Sequence, residues 1–311
     1  MNTDITNEDK KNITTYAPRC SKHPTLKETL SKFDFAPYAA SIARGEQRLP
    51  RDLLSQYQRV LEPYLVEEAP APILIKTRPT PLNVTCTDPR FANVLTGRSR
   101  ASPVKVIDMI LFAYEVEILE MRLYELNDVV DVFVIAEAVS TQRFARKPLM
   151  FERYRDRFQD FEHKIVYIAL DDTVVRKYRS SDDHVDGDDW RWEDGPRQEM
   201  FKRYRDTFGF PDDHTLLIHG DMDEMPLAPC IYALKHCEMN TQAAIIQTIM
   251  YRFNFEWVPP GLYYGEVLNV QTVEQASTTR FGRIRSDIRI HDGGIHLNRF
   301  GTPVLQLHKD N

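Results

Sequence analysis

From residue 104 onward the sequence alternates short apolar runs with amphipathic segments, and this alternation constrains the fold more than any other feature. Such a chain builds a sheet with helices against it, so the expected class is α/β. Residues 104–114, 131–139, 163–170, 215–219, 243–257 and 264–273 read as strands. Between them, Ile118, Leu119, Met121, Leu123 and Leu126 recur near helical spacing over 116–127, and 151–161, 197–208 and 227–239 read as further helices.

Residues 1–103 have a different texture. They hold eleven of the nineteen prolines around one helical candidate at 51–66, so they are expected to form an irregular, partly helical N-terminal appendage ahead of a core domain at 104–311. Lys plus Arg is 40 and Asp plus Glu is 46, giving 40 − 46 = −6, which excludes a mainly electrostatic nucleic-acid binder. An anionic substrate therefore needs a metal or a few placed cations.

No run approaches the ~18 uncharged apolar residues of a membrane helix, and residues 1–11 are polar and acidic, unlike a signal peptide. The chain reads as soluble as written, with a secretory lumen or the cytoplasm both open as its location. Cys20, Cys86, Cys230 and Cys237 are too scattered for a disulfide scaffold or a C-x-x-C zinc site.

The most informative turn follows 215–219. Gly220 lets the backbone bend, and Asp221-Met222-Asp223-Glu224-Met225-Pro226 leads into the next helix. Ligands of open α/β sheets bind at strand carboxyl ends. Two carboxylates on alternate residues there can face one hard cation, Mn2+ or Mg2+, which can in turn neutralise a diphosphate leaving group. Such a pair is equally the mark of a solvated turn, while Glu224 and Pro226 also suit a helix N-terminus. An aspartyl phosphohydrolase presents a similar pair, but with Thr or Val where this chain has Met225.

Other residues carry weaker signals. Asp182, Asp186 and Glu193 with Gly187 outline an imperfect calcium loop, better read as a solvated acidic loop. His296, behind Gly293-Gly294, is either a structural histidine or a third metal ligand beside Asp221 and Asp223. Lys147 offers a phosphate contact or a solvated cation. Trp190 and Trp192 offer sugar-stacking rings or core.

Residues 106–309 resemble glycosyltransferase family 17. The likeness is densest over 114–137, where Glu115, Glu120, Arg122, Leu123, Leu126, Asp128, Val129, Val130, Asp131, Phe133, Val134, Ile135 and Glu137 match the family's helix-to-strand block. Thr141, Lys147-Pro148-Leu149, the Asp221–Pro226 motif and a Gly-x-His near the end follow at family spacing. Phe144 and Ile295 depart from the family pattern of Gly and Trp.

The resemblance implies a GT-A-like, nucleotide-diphospho-sugar-binding domain with a mixed, mostly parallel sheet. It implies an inverting transferase, moving N-acetylglucosamine from a UDP-sugar donor to a glycan or glycoprotein acceptor. Asp221 and Asp223 would then lie at the metal and diphosphate, with Glu137 and Lys147 near the donor. Glu193 is the candidate base, from the family's W-x-x-E neighbourhood, and Glu115, Glu120 and Arg122 would form a helix-face ion network. An inactive glycan- or nucleotide-binding protein on the same fold is the alternative, and a phosphohydrolase the third.

Overall fold

The apolar runs become strands because both of their faces are covered. In the computed structural model, residues 82, 84–141, 146–171, 173–174, 191–252, 268–278, 286–298 and 300 are described. The chain divides into two compact units, 1–69 and 70–311, and every described residue belongs to the second. That unit begins at Pro70, upstream of the expected start at 104, and the helical candidate at 51–66 lies outside the described residues.

Among the described residues, ten strands form two sheets. They are β1 (Leu95–Ser99), β2 (Val106–Phe112), β3 (Val132–Ala138), β4 (Ile165–Leu170), β5 (Leu216–Gly220), β6 (Glu224–Pro226), β7 (Cys237–Met239), β8 (Ala243–Arg252), β9 (Asn269–Thr272) and β10 (Arg289–Asn298). The large sheet has the order β4-β3-β2-β5-β9-β8-β10-β6, and β1 pairs with β7 alone. Strands β4, β3, β2 and β5 run parallel, as do β8 and β10. Strand β9 is antiparallel to both neighbours, and β6 is antiparallel to β10. The expected mixed α/β sheet is what forms.

Helix α1 (Val116–Leu126) follows β2; α2 (Met150–Arg153) and a 3-10 segment (Arg155–Lys164) follow β3. Helix α3 (Arg191–Phe208) precedes β5, α4 (Ala228–His236) follows β6, and α5 (Val273–Thr278) follows β9. Leu119, Leu123 and Leu126 of α1 share one buried cluster with Ile110, Phe133 and Ile135. Met200, Phe201 and Tyr204 of α3 share the other with Ile107, Met109, Val134 and Leu217. Alternate residues of β2 and β3 thus feed opposite layers, which explains runs without a polar face.

Two departures from the sequence reading have physical reasons. The helix expected over 151–161 is one α turn followed by 3-10 geometry, in which residues three apart eclipse; this brings Phe158 and Phe161 to the same buried side. The second concerns the cysteines. Cys86 and Cys237 form a disulfide with Cα atoms 5.4 Å apart, tying the segment before β1 to the start of β7, while Cys230 is free and buried. Phe91, Val94 and Leu95 also pack into the α1 cluster, so this stretch is part of the core and no loose appendage.

Candidate active site

Strand β5 lies between β2 and β9, and its carboxyl end hands the chain to the acidic turn. Gly220 is there for space: a Cβ would come within 2.8 Å of Leu268 Cδ1. Gly294 has the same role, since a Cβ would stand 2.9 Å from the Met225 carbonyl and prevent β10 from pairing with β6. The Gly293-Gly294 pair therefore serves close packing between strands, where the sequence suggested approach to a ligand. Just before it, Asp292 adopts a φ of 51° and the β10–β8 register slips between Ile290 and Gly294, a bulge that re-aims the end of β10.

On its other side, β10 pairs with β6 in a register that places His296 opposite Glu224. The His296 Nε2 atom then lies 3.3 Å from Asp223 Oδ2, with both side chains largely buried. The turn's backbone is held closely: Glu224 N donates to Asp221 O at 3.0 Å, and Leu297 N donates to Asp223 O at 2.7 Å. Glu224, itself buried, accepts from Asp221 N on Oε2 at 3.3 Å. Asp221 differs from its neighbours: its side chain is 41% exposed, and its carboxylate pairs with buried Arg197 of α3.

Asp223 and His296 thus lie together, while Asp221 turns toward Arg197, a cation that the sequence reading did not single out. Among the described residues no three His, Cys, Asp or Glu side chains converge into a closed metal cage. The open carboxylate–imidazole pair nonetheless fits a Mn2+-type ion, which commonly takes one or two protein ligands and completes its shell with water and substrate phosphates.

Glu137 and Lys147 form a buried ion pair on the same carboxyl edge, at the end of β3. Lys147 also donates to the carbonyls of Ala113 at 3.0 Å and Pro148 at 3.2 Å. Glu137 accepts from Met150 N at 2.6 Å, Phe151 N at 3.0 Å and Tyr167 Oη at 3.1 Å. Burial lowers the Lys147 pKa against the pull of Glu137. The pair braces the entry to α2 against β2 and β3. Lys147 is accordingly no solvated surface cation.

The remaining candidates sort as follows. Glu193 lies in the first turn of α3, with its side chain, like that of Trp192, outside the described residues. Trp190, Phe144 and the acidic loop at 182–190 also lie outside them. Glu115 and Glu120 do not join Arg122: Glu115 accepts from Tyr114 N at 3.0 Å, and Glu120 pairs with Arg157. Arg122 points inward to Asp108 of β2. Arg197, Asp108 and the inward course of Arg122 are what sequence reasoning missed.

Burial, and then the Asp221 carboxylate, push Glu224 up to about 7, with His296 acting in the other direction. A folded carboxyl at about 7 retains a proton that an unfolded one, at its ordinary 4.5, releases. Between those values the folded state binds more protons, so this stability is fully present below the lower value and is lost as pH rises through the upper. The metal-free chain should melt at lower temperature as pH is raised across that window, and Glu224→Gln should flatten that part of the profile. A slope unchanged in the variant would show that Glu224 does not titrate there.

The acidic turn and the His296 imidazole thus sit at the carboxyl edge of an open α/β sheet, the edge at which such sheets bind their ligands. The chain belongs to glycosyltransferase family 17, whose model matches residues 75–300. It is 30% identical over 181 residues, 56% of its length, to the beta-1,4-mannosyl-glycoprotein 4-beta-N-acetylglucosaminyltransferase of Homo sapiens. It is 30% identical over 168 residues, 52% of its length, to the protein of the same name from Rattus norvegicus. The chain spans 31% of the human relative and 29% of the rat one.

Proposed function

We propose that this chain transfers N-acetylglucosamine from UDP-N-acetylglucosamine to a hydroxyl of a mannose-bearing glycan, with inversion and with Mn2+ or Mg2+ as cofactor. The domain is read as GT-A-like. The observation that carries the proposal is the pairing of Asp223, in the acidic turn at the carboxyl edge of the central strand, with His296 of β10. Family membership supports the reaction class, and the names of the relatives support the sugar and the acceptor.

In this reading Asp223 and His296 hold the cation, which supplies positive charge to the leaving diphosphate. Arg197 keeps Asp221 neutralised and oriented. The Glu137–Lys147 brace fixes the neighbouring loop beyond β3 without spending its charges on the donor. Glu193 remains the candidate base, carried by the same helix as Arg197. It would take the acceptor hydroxyl proton as the acceptor oxygen bonds to the anomeric carbon and that carbon's bond to the diphosphate oxygen breaks.

A donor screen tests this directly. With manganese and a mannose-bearing acceptor, UDP release should depend on UDP-N-acetylglucosamine and on the acceptor. Inorganic phosphate as the product would instead favour a phosphohydrolase, and binding without turnover an inactive binding protein.

A further inference from the structure

The Arg122 side chain and its partner Asp108 are completely buried. Their contact is bidentate: Nε donates to Oδ2 at 2.7 Å and Nη2 to Oδ1 at 2.8 Å. This locks the plane of the guanidinium and leaves Nη1 aimed at the acidic turn. There it donates to Glu224 O at 2.6 Å and lies 3.5 Å from Asp221 O. Asp108 comes from β2, Arg122 from α1, and the acceptors from the acidic turn after β5 and the first residue of β6.

We infer that Arg122, held by Asp108, is a positioning residue that sets the backbone of the Asp221–Glu224 turn and thereby the carboxylates used for donor binding. The inference rests on the donor-binding reading. Two physical points support it. A buried ion pair adds little stability over an apolar pair of the same volume, so stability alone gives weak reason for one here. The turn also gathers three carboxylates within four residues, which repel one another, and Arg122 places a fixed positive charge behind them on the protein side. Leu297 N grips the Asp223 carbonyl from β10, so Asp221, Asp223 and Glu224 each have a carbonyl anchored.

The test uses the full chain with Asp108→Leu and Arg122→Met together, which replaces the pair by apolar groups of similar size and leaves no unpaired buried charge. Backbone amide exchange at Glu224 and Leu297 is the readout independent of any ligand. We expect it to accelerate by about tenfold or more relative to the amides of β2 and β3, because the turn opens locally. Manganese-dependent UDP affinity should fall by about ten- to hundredfold, the range for groups that orient metal ligands. Unchanged exchange at both amides would overturn the inference. If the double variant does not melt cooperatively, Arg122→Lys takes its place: it keeps the charge but cannot fork, and unchanged turn exchange in that variant would likewise overturn it. A wild-type chain that binds no UDP with manganese would refute the donor reading, while faster turn exchange in the variants would still uphold the clamp.

Discussion

Asp223→Ala should abolish the metal dependence of UDP binding, lowering affinity in manganese by more than about the hundredfold that disturbing a supporting group costs. The reason is position. Asp223 is almost fully buried, adjoins His296, and has its carbonyl fixed by Leu297, so its carboxylate has little freedom to be replaced by another group. Asp221→Ala should act differently: it leaves buried Arg197 without the Asp221 carboxylate, so the cost should appear as a lowered melting temperature as well as weaker binding. His296→Ala separates two roles. A ligand histidine weakens manganese binding and spares the metal-free melting temperature, whereas a packing histidine does the reverse.

The second large effect is on stability. Cys86→Ser should remove the cross-link that closes a loop with a sequence separation of 151. In the chain-entropy account such a long loop is worth on the order of 5 kcal/mol. For a unit of this size each kcal/mol moves the melting temperature by about 2–4 °C, so a fall of about 10 °C or more is expected. Cys237→Ser should match it, and a reducing agent should bring the wild type to the same value. A melting temperature that is unmoved by both substitutions and by reductant would show that the bond contributes nothing. Such a bond persists in oxidising surroundings, so production in a reducing host should yield the weaker form.

Much of the fold was legible because it depends on local pattern. The continuous apolar runs of β2, β3 and β5 and the stripe Leu119, Leu123 and Leu126 of α1 are set by burial on both faces of one sheet. The same pattern held an unread signal. Asp108 interrupts an otherwise apolar buried strand, and Arg122 falls on the buried stripe of α1, three residues after Leu119 and four before Leu126. Two opposite charges forced inside need each other.

Other features could not be read from spacing. Arg197 sits among charged neighbours in Arg-Gln-Glu-Met-Phe-Lys-Arg, and only the packing of α3 on the sheet brings it to Asp221. The pairing of Cys86 with Cys237 follows from β1 meeting β7 across the sequence. The approach of His296 to Asp223 depends on β10 pairing with β6 in the register that sets His296 opposite Glu224, a long-range pairing that spacing in the sequence does not reveal.

The proposed reaction stands or falls with the Asp223–His296 pair as a divalent-cation site for a nucleoside diphosphate. Calorimetric titration of the full chain with UDP, in chelator and then in manganese, tests it most directly. UDP should bind clearly in manganese and little in chelator, with the difference lost in Asp223→Ala. Equal UDP affinity under both conditions, or a manganese dependence that survives Asp223→Ala, would contradict it.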